Sequence, residues 1–243
     1  MVISVLASSA YAQDPGFFVS AGGGLAKMNV GSFAVYNPVA SIPGQPQGEA
    51  LVAIDKKDTV SVARLTVGYQ FNESWDLQLS YADYGTGEAK VAFPLYPGFA
   101  WAMVIGNGPD VYQRHVLRYK PTAFVLMPSY NHDVGDNLQI RAGAGVSYCS
   151  TDSHFEATYK EGAVIFPAPG FEAYSYRKET DHSLGFIASL GADYKLTNKL
   201  SAAISGNYSI FKAKVPGSPW VERSKSSVNI TSFGAELALV WHW

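Results

Sequence analysis

The sequence predicts an all-β fold: an eight-stranded antiparallel up-and-down transmembrane β-barrel, with short turns at one end and long loops at the other. Three observations predict it. Side-chain character alternates with a period of two along segment after segment, the period of an extended strand. The connections between these segments alternate short and long. The composition, finally, suits neither a soluble domain nor a helical membrane protein. Of 243 residues, 47% are hydrophobic and only 16% charged, below the roughly 25% charge of an ordinary soluble domain. Yet no run approaches the ~18–20 apolar residues that a membrane helix needs. A chain that enters lipid without such helices must close its strands into a barrel, because hydrocarbon offers no partner to an open sheet edge. The net charge of −2 gives no footprint for nucleic acid as a partner.

The chain opens on Val2-Ile3-Ser4-Val5-Leu6-Ala7, a short apolar stretch. Ala10-Tyr11-Ala12 then places small residues at the −3 and −1 positions of a signal-peptidase site. Residues 1–12 are therefore expected to be the tail of a signal peptide, and 13–243 the barrel domain. A buried first strand is the alternative, against which the following Asp14-Pro15-Gly16 turn argues.

Strand one is expected over about 16–28, with Phe17, Val19, Ala21 and Leu25 on one side. Strand two, about 60–71, sets Leu65, Val67, Tyr69 and Phe71 against Arg64, Thr66, Gly68 and Gln70. Strand three, about 75–85, sets Trp75, Leu77, Leu79 and Tyr81 against Asp76, Gln78 and Ser80. Strand four, about 116–131, is the least regular, since Pro121 and Pro128 remove two ladder donors. Strand five, about 137–149, sets Leu138, Ile140, Val146 and Tyr148 against Gln139, Arg141 and Ser147. Strands six (from Leu184), seven (from Leu200) and eight (from Phe233) repeat the alternation most cleanly.

Strands two and three are joined by Asn72-Glu73-Ser74, four and five by a turn around 132–137, and six and seven by 196–199. The other links are long. Short turns in the periplasm and long loops outside are the pattern of an outer-membrane barrel, and an even strand count leaves both chain ends on the short-turn side.

Alternation alone does not say which face is inside. A soluble barrel turns its bulky apolar face inward, but here the other face is mostly Gly, Ser, Ala, Asn and Thr, a poor coat for water and a good filling for a narrow lumen. Aromatics gather at both strand ends: Tyr69, Phe71, Trp75, Tyr130, Tyr194, Trp241 and Trp243 at one, Tyr81, Tyr148 and Tyr208 at the other. Two such belts mark the two interfaces of a bilayer. The apolar face therefore belongs to lipid.

The segment Val67-Gly68-Tyr69-Gln70-Phe71-Asn72-Glu73-Ser74-Trp75, the alternating strand set, and a last strand ending on an aromatic resemble the eight-stranded outer-membrane barrel superfamily. That superfamily includes the OmpA transmembrane domain, OmpX, OmpW and the opacity proteins. The resemblance implies residence in the bacterial outer membrane among lipid that includes lipopolysaccharide. It also implies insertion by the barrel-assembly machinery, with Trp243 in the role of the terminal aromatic that machinery recognises, where Phe is more usual. No chain is left over for an OmpA-like periplasmic domain.

Three sets of residues are candidates for function. Arg64, Asp76, Gln78, Gln139, Arg141, Asp193 and Glu236 share the inward phase. Buried charges must be paired, so Glu236 is expected to pair with Arg64 or Arg141 and the polar side chains to plug the lumen; the alternative is a narrow pore or an OmpW-like conduit for hydrophobic molecules. The long loops each carry a Pro-Gly pair (Pro43-Gly44, Pro97-Gly98, Pro169-Gly170, Pro216-Gly217), which suits a type II turn at a loop tip. Apolar residues beside these tips, among them Phe99, Trp101, Phe166 and Phe171, either pack into a cap or bind a hydrophobic ligand, lipid or host surface. The third set is catalytic and weak. Asp181-His182-Ser183 invites comparison with outer-membrane lipid A deacylases, but adjacent strand residues face opposite ways. Asp152 with His154 is too little for an omptin-like site. His115, His132 and His242 are isolated. No metal or cofactor motif is present, lone Cys149 reads as a packing residue, and the expectation is a non-enzymatic barrel with a structural or surface-binding role.

Overall fold

A computed structural model describes residues 15–31, 33–36, 49–52, 56–94, 112–159, 174–216 and 225–243. The expected signal segment and the loop-tip residues Phe99, Trp101, Phe166 and Phe171 lie outside them, as do all the Pro-Gly pairs but Pro216. The strands are β1 (Gly16–Val30), β2 (Phe33–Tyr36), β3 (Glu49–Val52), β4 (Lys56–Asn72), β5 (Trp75–Asp83), β6 (Gly87–Pro94), β7 (Tyr112–Asp133), β8 (Leu138–Tyr159), β9 (Tyr174–Lys195), β10 (Leu200–Pro216) and β11 (Lys225–His242).

Strands β2 and β3 form a separate hairpin. The others make one antiparallel sheet in the order β5-β4-β1-β11-β10-β9-β8-β7-β6, closed by the pairing of β5 with β7. Both β5 and β6 pair with β7, and they are two halves of one long strand. The register slips by one between Asp83↔Thr122 and Gly87↔Tyr119. Gly85 sits at the slip with φ 64, a left-handed conformation that favours glycine. The barrel thus has eight staves, as the sequence predicts.

Its geometry follows from the registers. Partners followed once around run Ser20, Thr66, Ser80, Val125, Ser147, Gly185, Phe211, Ile230 and back to β1 at Val30. The path returns ten residues beyond its start, a shear of ten, so eight strands tilt about 40° from the axis. Such a barrel is just wide enough for side chains to fill.

The two faces are those expected. Leu25, Leu65, Val67, Leu79, Leu126, Val146, Leu190, Ile204, Leu237 and Leu239 are all exposed, while the intervening residues are buried or half-buried. In water this arrangement would be inside out; in lipid it is the stable one. Aromatics bound the apolar band. Phe17, Phe71, Trp75, Tyr130, Tyr194 and Trp241 form the lower belt, and Tyr81, Phe124, Tyr148, Phe186, Tyr208 and Phe233 the upper. Edge-on contacts tie neighbours together, with Phe17–Tyr69 centroids at 4.9 Å and Trp75–Tyr130 at 5.3 Å.

Two features differ from the sequence reading. First, the strands continue well past the upper belt, so that β8 reaches Tyr159 rather than about 149 and β9 begins at Tyr174 rather than Leu184. Second, the wall splits above the belt. Pairing of β4 with β5 stops at Ala63↔Asp83, and pairing of β9 with β10 stops at Phe211↔Gly185. The ring leaves the membrane as two four-stranded leaves, β6–β9 and β10-β11-β1-β4. Each seam is bridged by an aspartate: Asp58 accepts the Glu88 backbone N–H (2.8 Å) and Asp181 that of Lys214 (2.7 Å). The irregularity expected in strand four is present: the β7–β8 ladder lapses between Leu126↔Val146 and Ser129↔Gly143, where Pro128 has no N–H to give.

The orientation predicts a depth-dependent cost of charge. Leu237→Arg, in the middle of the apolar band, should lower the unfolding free energy by about 2–4 kcal/mol in bilayer denaturation experiments, whereas Thr59→Arg, outward but above the upper belt, should change it by less than about 1 kcal/mol.

Candidate functional site: the barrel lumen

The lumen has three levels, and the inward phase of each strand supplies all of them. At the periplasmic floor, Arg141 on β8 reaches across to β9 and β5. Its guanidinium bonds Asp193, lies 3.6 Å from Asp76 Oδ2, and donates to Asn131 Oδ1 (3.1 Å). Asp76 is 2% exposed and would be intolerable there without partners. It also accepts from Asn131 Nδ2 (2.8 Å) and Gln78 Nε2 (2.9 Å). Gln78 donates a second bond to Ser129 Oγ at 3.1 Å. Gln139, at the rim, bonds Asp133 instead (3.0 Å). The Phe18 ring lies under the guanidinium, 5.5 Å from Arg141 Cζ. A Cβ on Gly68 would meet that ring at 2.1 Å, so the glycine makes the space it fills.

The middle level is a small polar chamber. Arg64 and Glu236 meet across β1 in a two-pronged ion pair, Nε–Oε2 at 2.7 Å and Nη2–Oε1 at 3.0 Å. The fork geometry makes this pair strong and directional. Of the two partners the sequence allows for Glu236, the structure selects Arg64 and gives Arg141 to the aspartates. Ser20, Thr66, Ser80, Ser189, Ser205 and Asn207 line the remaining space, a cavity of about 60 Å³. That volume holds a handful of waters.

The upper level is apolar, in addition to the polar filling that the sequence predicts below it. Met28, Val60, Val62, Tyr84, Leu117, Tyr119, Phe155, Ile187, Phe211 and Ile230 are all buried there and form one apolar cluster. Tyr84 from one leaf meets Phe211 from the other, ring centroids 6.4 Å apart. The sequence does carry the signal, as an inversion along a single phase. On β10 the inward residues run Ser201, Ala203, Ser205, Asn207, Ser209 and then Phe211, Ala213, while the outward residues turn from Ile204, Tyr208 and Ile210 to Lys212 and Lys214. Above the belt the wall has water outside, so apolar groups gain by turning in.

The catalytic candidates are not brought together. His182 is exposed and stacked on Tyr148 (5.7 Å, 6°), while Ser183 lies on the opposite phase. Asp152 accepts from Thr180 Oγ1 at 2.6 Å. His242 sits in the floor against Phe18, 5.9 Å away, and His132 is exposed. Cys149 is buried on the inward phase beside Ser147. Among the described residues, no group of three His, Cys, Asp or Glu side chains is placed to hold a metal. Trp243 is exposed, and its backbone N–H donates to Phe17 O (3.1 Å), tying the last residue to the first strand.

The chain is similar to several solved structures. The outer membrane protein OprG from Pseudomonas aeruginosa is 17% identical over 94% of this chain and 96% of its own, with a TM-score of 0.51. Neisserial surface protein A is 13% identical over 91% of this chain and 95% of its own, at 0.41. The outer membrane protein AlkL, solved in DMPC bilayers, is 14% identical over 94% of this chain and 90% of its own, at 0.37. No curated protein matches the chain by sequence. A family model described as "Outer membrane protein beta-barrel domain" matches residues 1–239. The chain therefore belongs to the outer-membrane β-barrel family and resides in the bacterial outer membrane.

Proposed function

We propose that the protein is a non-enzymatic, non-conducting barrel whose membrane part is a closed scaffold and whose extracellular part, loops included, binds surface partners. The observation that carries this reading is the filling of the lumen. The Arg64–Glu236 pair spans its middle, the Arg141–Asp193–Asp76 group spans its floor, and packed apolar side chains occupy its upper level. A chamber of about 60 Å³, with the Arg141 group below it and packed apolar side chains above, leaves a hydrated ion little room. The separation of His182 from Ser183 supports the absence of catalysis. Insertion by the barrel-assembly machinery through Trp243, and removal of residues 1–12 on export, belong to the same proposal.

A second reading is a conduit for small hydrophobic molecules, favoured by the apolar upper lumen and the two seams that interrupt its wall. The readings part on access. If the upper level is a solid core, a solvatochromic apolar dye such as N-phenyl-1-naphthylamine should show no saturable binding to the refolded protein. Saturable binding that is lost in Phe211→Ser and Tyr119→Ser would favour the conduit.

Two further outcomes test the scaffold reading. Planar-bilayer recordings of the wild type should show no stable conductance, and long-lived open events would contradict it. Glu236→Gln should lower the unfolding free energy by about 3–5 kcal/mol, because it strands the Arg64 guanidinium in the lumen; an unchanged stability would show that the pair is not closed in lipid.

A further inference from the structure

Charge on the outer wall above the upper aromatic belt is segregated by side. On β5 to β8 the outward charges are interlocked. Lys120 pairs with Asp83 (3.0 Å), and Arg118 pairs with both Glu88 (2.9 Å) and Glu156 (2.8 Å). On β9, β10, β11, β1 and β4 the outward positions above the belt carry Lys178, His182, Lys212, Lys214 and Lys27, all exposed, and among the described residues no carboxylate. Glu179 and Asp181 of β9 are inward-phase residues, and Asp181 is engaged by the backbone N–H of Lys214 rather than its ammonium. Lys27, Lys212 and Lys214 have no ion-pair partner among the described residues.

Three cations without counterions on β10 and β1, the two staves that flank β11, raise the local potential unless an anion shares the site. Their height says which anion. Lys27 pairs in register with Phe233, and Phe233 with Tyr208, so the belt aromatics Tyr208, Phe233 and, on β9, Phe186 lie at or just below the lysines. Acyl chains lying on those rings would set their headgroup at the level of the ammonium groups. We propose that the face formed by Lys27, Lys212 and Lys214 is a docking site for the phosphates of an outer-leaflet glycolipid, with Phe186, Tyr208 and Phe233 supporting its acyl chains. The site rests on the membrane orientation of the barrel alone and is independent of whether the lumen conducts. Lysine suits it as a mobile point charge that meets a phosphate from many angles. Thr231 and Asn229, outward on β11 between the lysine-bearing strands, add hydrogen-bonding groups to the same face.

The test is binding of bisphosphorylated lipid A to the full chain refolded in zwitterionic detergent, measured by native mass spectrometry. The triple variant Lys27→Ser, Lys212→Ser, Lys214→Ser should bind about tenfold more weakly or worse, with its heat-dependent gel mobility unchanged. Lys120→Ser, which removes a cation already paired, should bind as the wild type does. Dephosphorylated lipid A should bind the wild type as weakly as the triple variant binds the phosphorylated form. If the triple variant fails to refold, Lys→Arg at the three positions should retain binding, and wild-type affinity should fall steeply as salt rises from about 0.05 to about 0.5 M. Undiminished binding by the triple variant, equal binding of the dephosphorylated lipid, or affinity indifferent to salt would each overturn the site.

Discussion

Backbone hydrogen bonding without water sets the terms for this molecule. In hydrocarbon each unpaired N–H or C=O costs several kcal/mol, so every membrane-level strand must find a neighbour on both sides. The sheet satisfies this by closing β5 onto β7 and β11 onto β1. Closure at a shear of ten fixes the diameter, the diameter fixes the volume of the lumen, and the volume dictates its residues. Glycine and serine line it where large polar side chains must fit, and Arg64 pairs with Glu236 and Arg141 with Asp193 and Asp76, because a charge buried in so narrow a lumen must be paired.

The same rule explains why the wall relaxes higher up. Above the aromatic belt the outer surface meets water, and an unpaired strand edge there is solvated at little cost. Both seams begin at that level. The environment also reverses the polarity of the two faces, so lipid outside selects a polar interior and water outside selects an apolar one. The protein is therefore an inside-out barrel carrying two leaves packed around a conventional apolar core on top of it, built from the same strands. The joint falls where Phe211 follows Ser209 on the inward phase and Lys212 follows Ile210 on the outward.

Much of this is legible in the sequence. Period-two alternation identifies the eight staves, and the sparse charge identifies the lipid-facing phase. Inward placement of Arg64, Asp76, Gln78, Gln139, Arg141, Asp193 and Glu236 follows from parity within each strand. What parity cannot supply is register. Whether Glu236 meets Arg64 or Arg141 depends on how far each strand slides against the next, and the slip at Gly85 leaves no mark in hydrophobicity. The apolar upper lumen escapes notice for a different reason. A reader who assigns one environment to a whole strand takes the inversion near residue 210 for the strand's end. Register likewise hides the seams, since the contacts of Asp58 with Glu88 and of Asp181 with Lys214 span 30 and 33 residues.

The inversion is most directly tested by spin labels placed one at a time along β10 in a cysteine-free background, with relaxation by oxygen dissolved in lipid compared against a water-soluble nickel chelate. Labels at Ile204 and Tyr208 should relax with oxygen, those at Lys212 and Lys214 with nickel, and one at Phe211 with neither. A label at Phe211 open to nickel, with one at Ile204 shielded from oxygen, would contradict the assignment of faces on which the account stands.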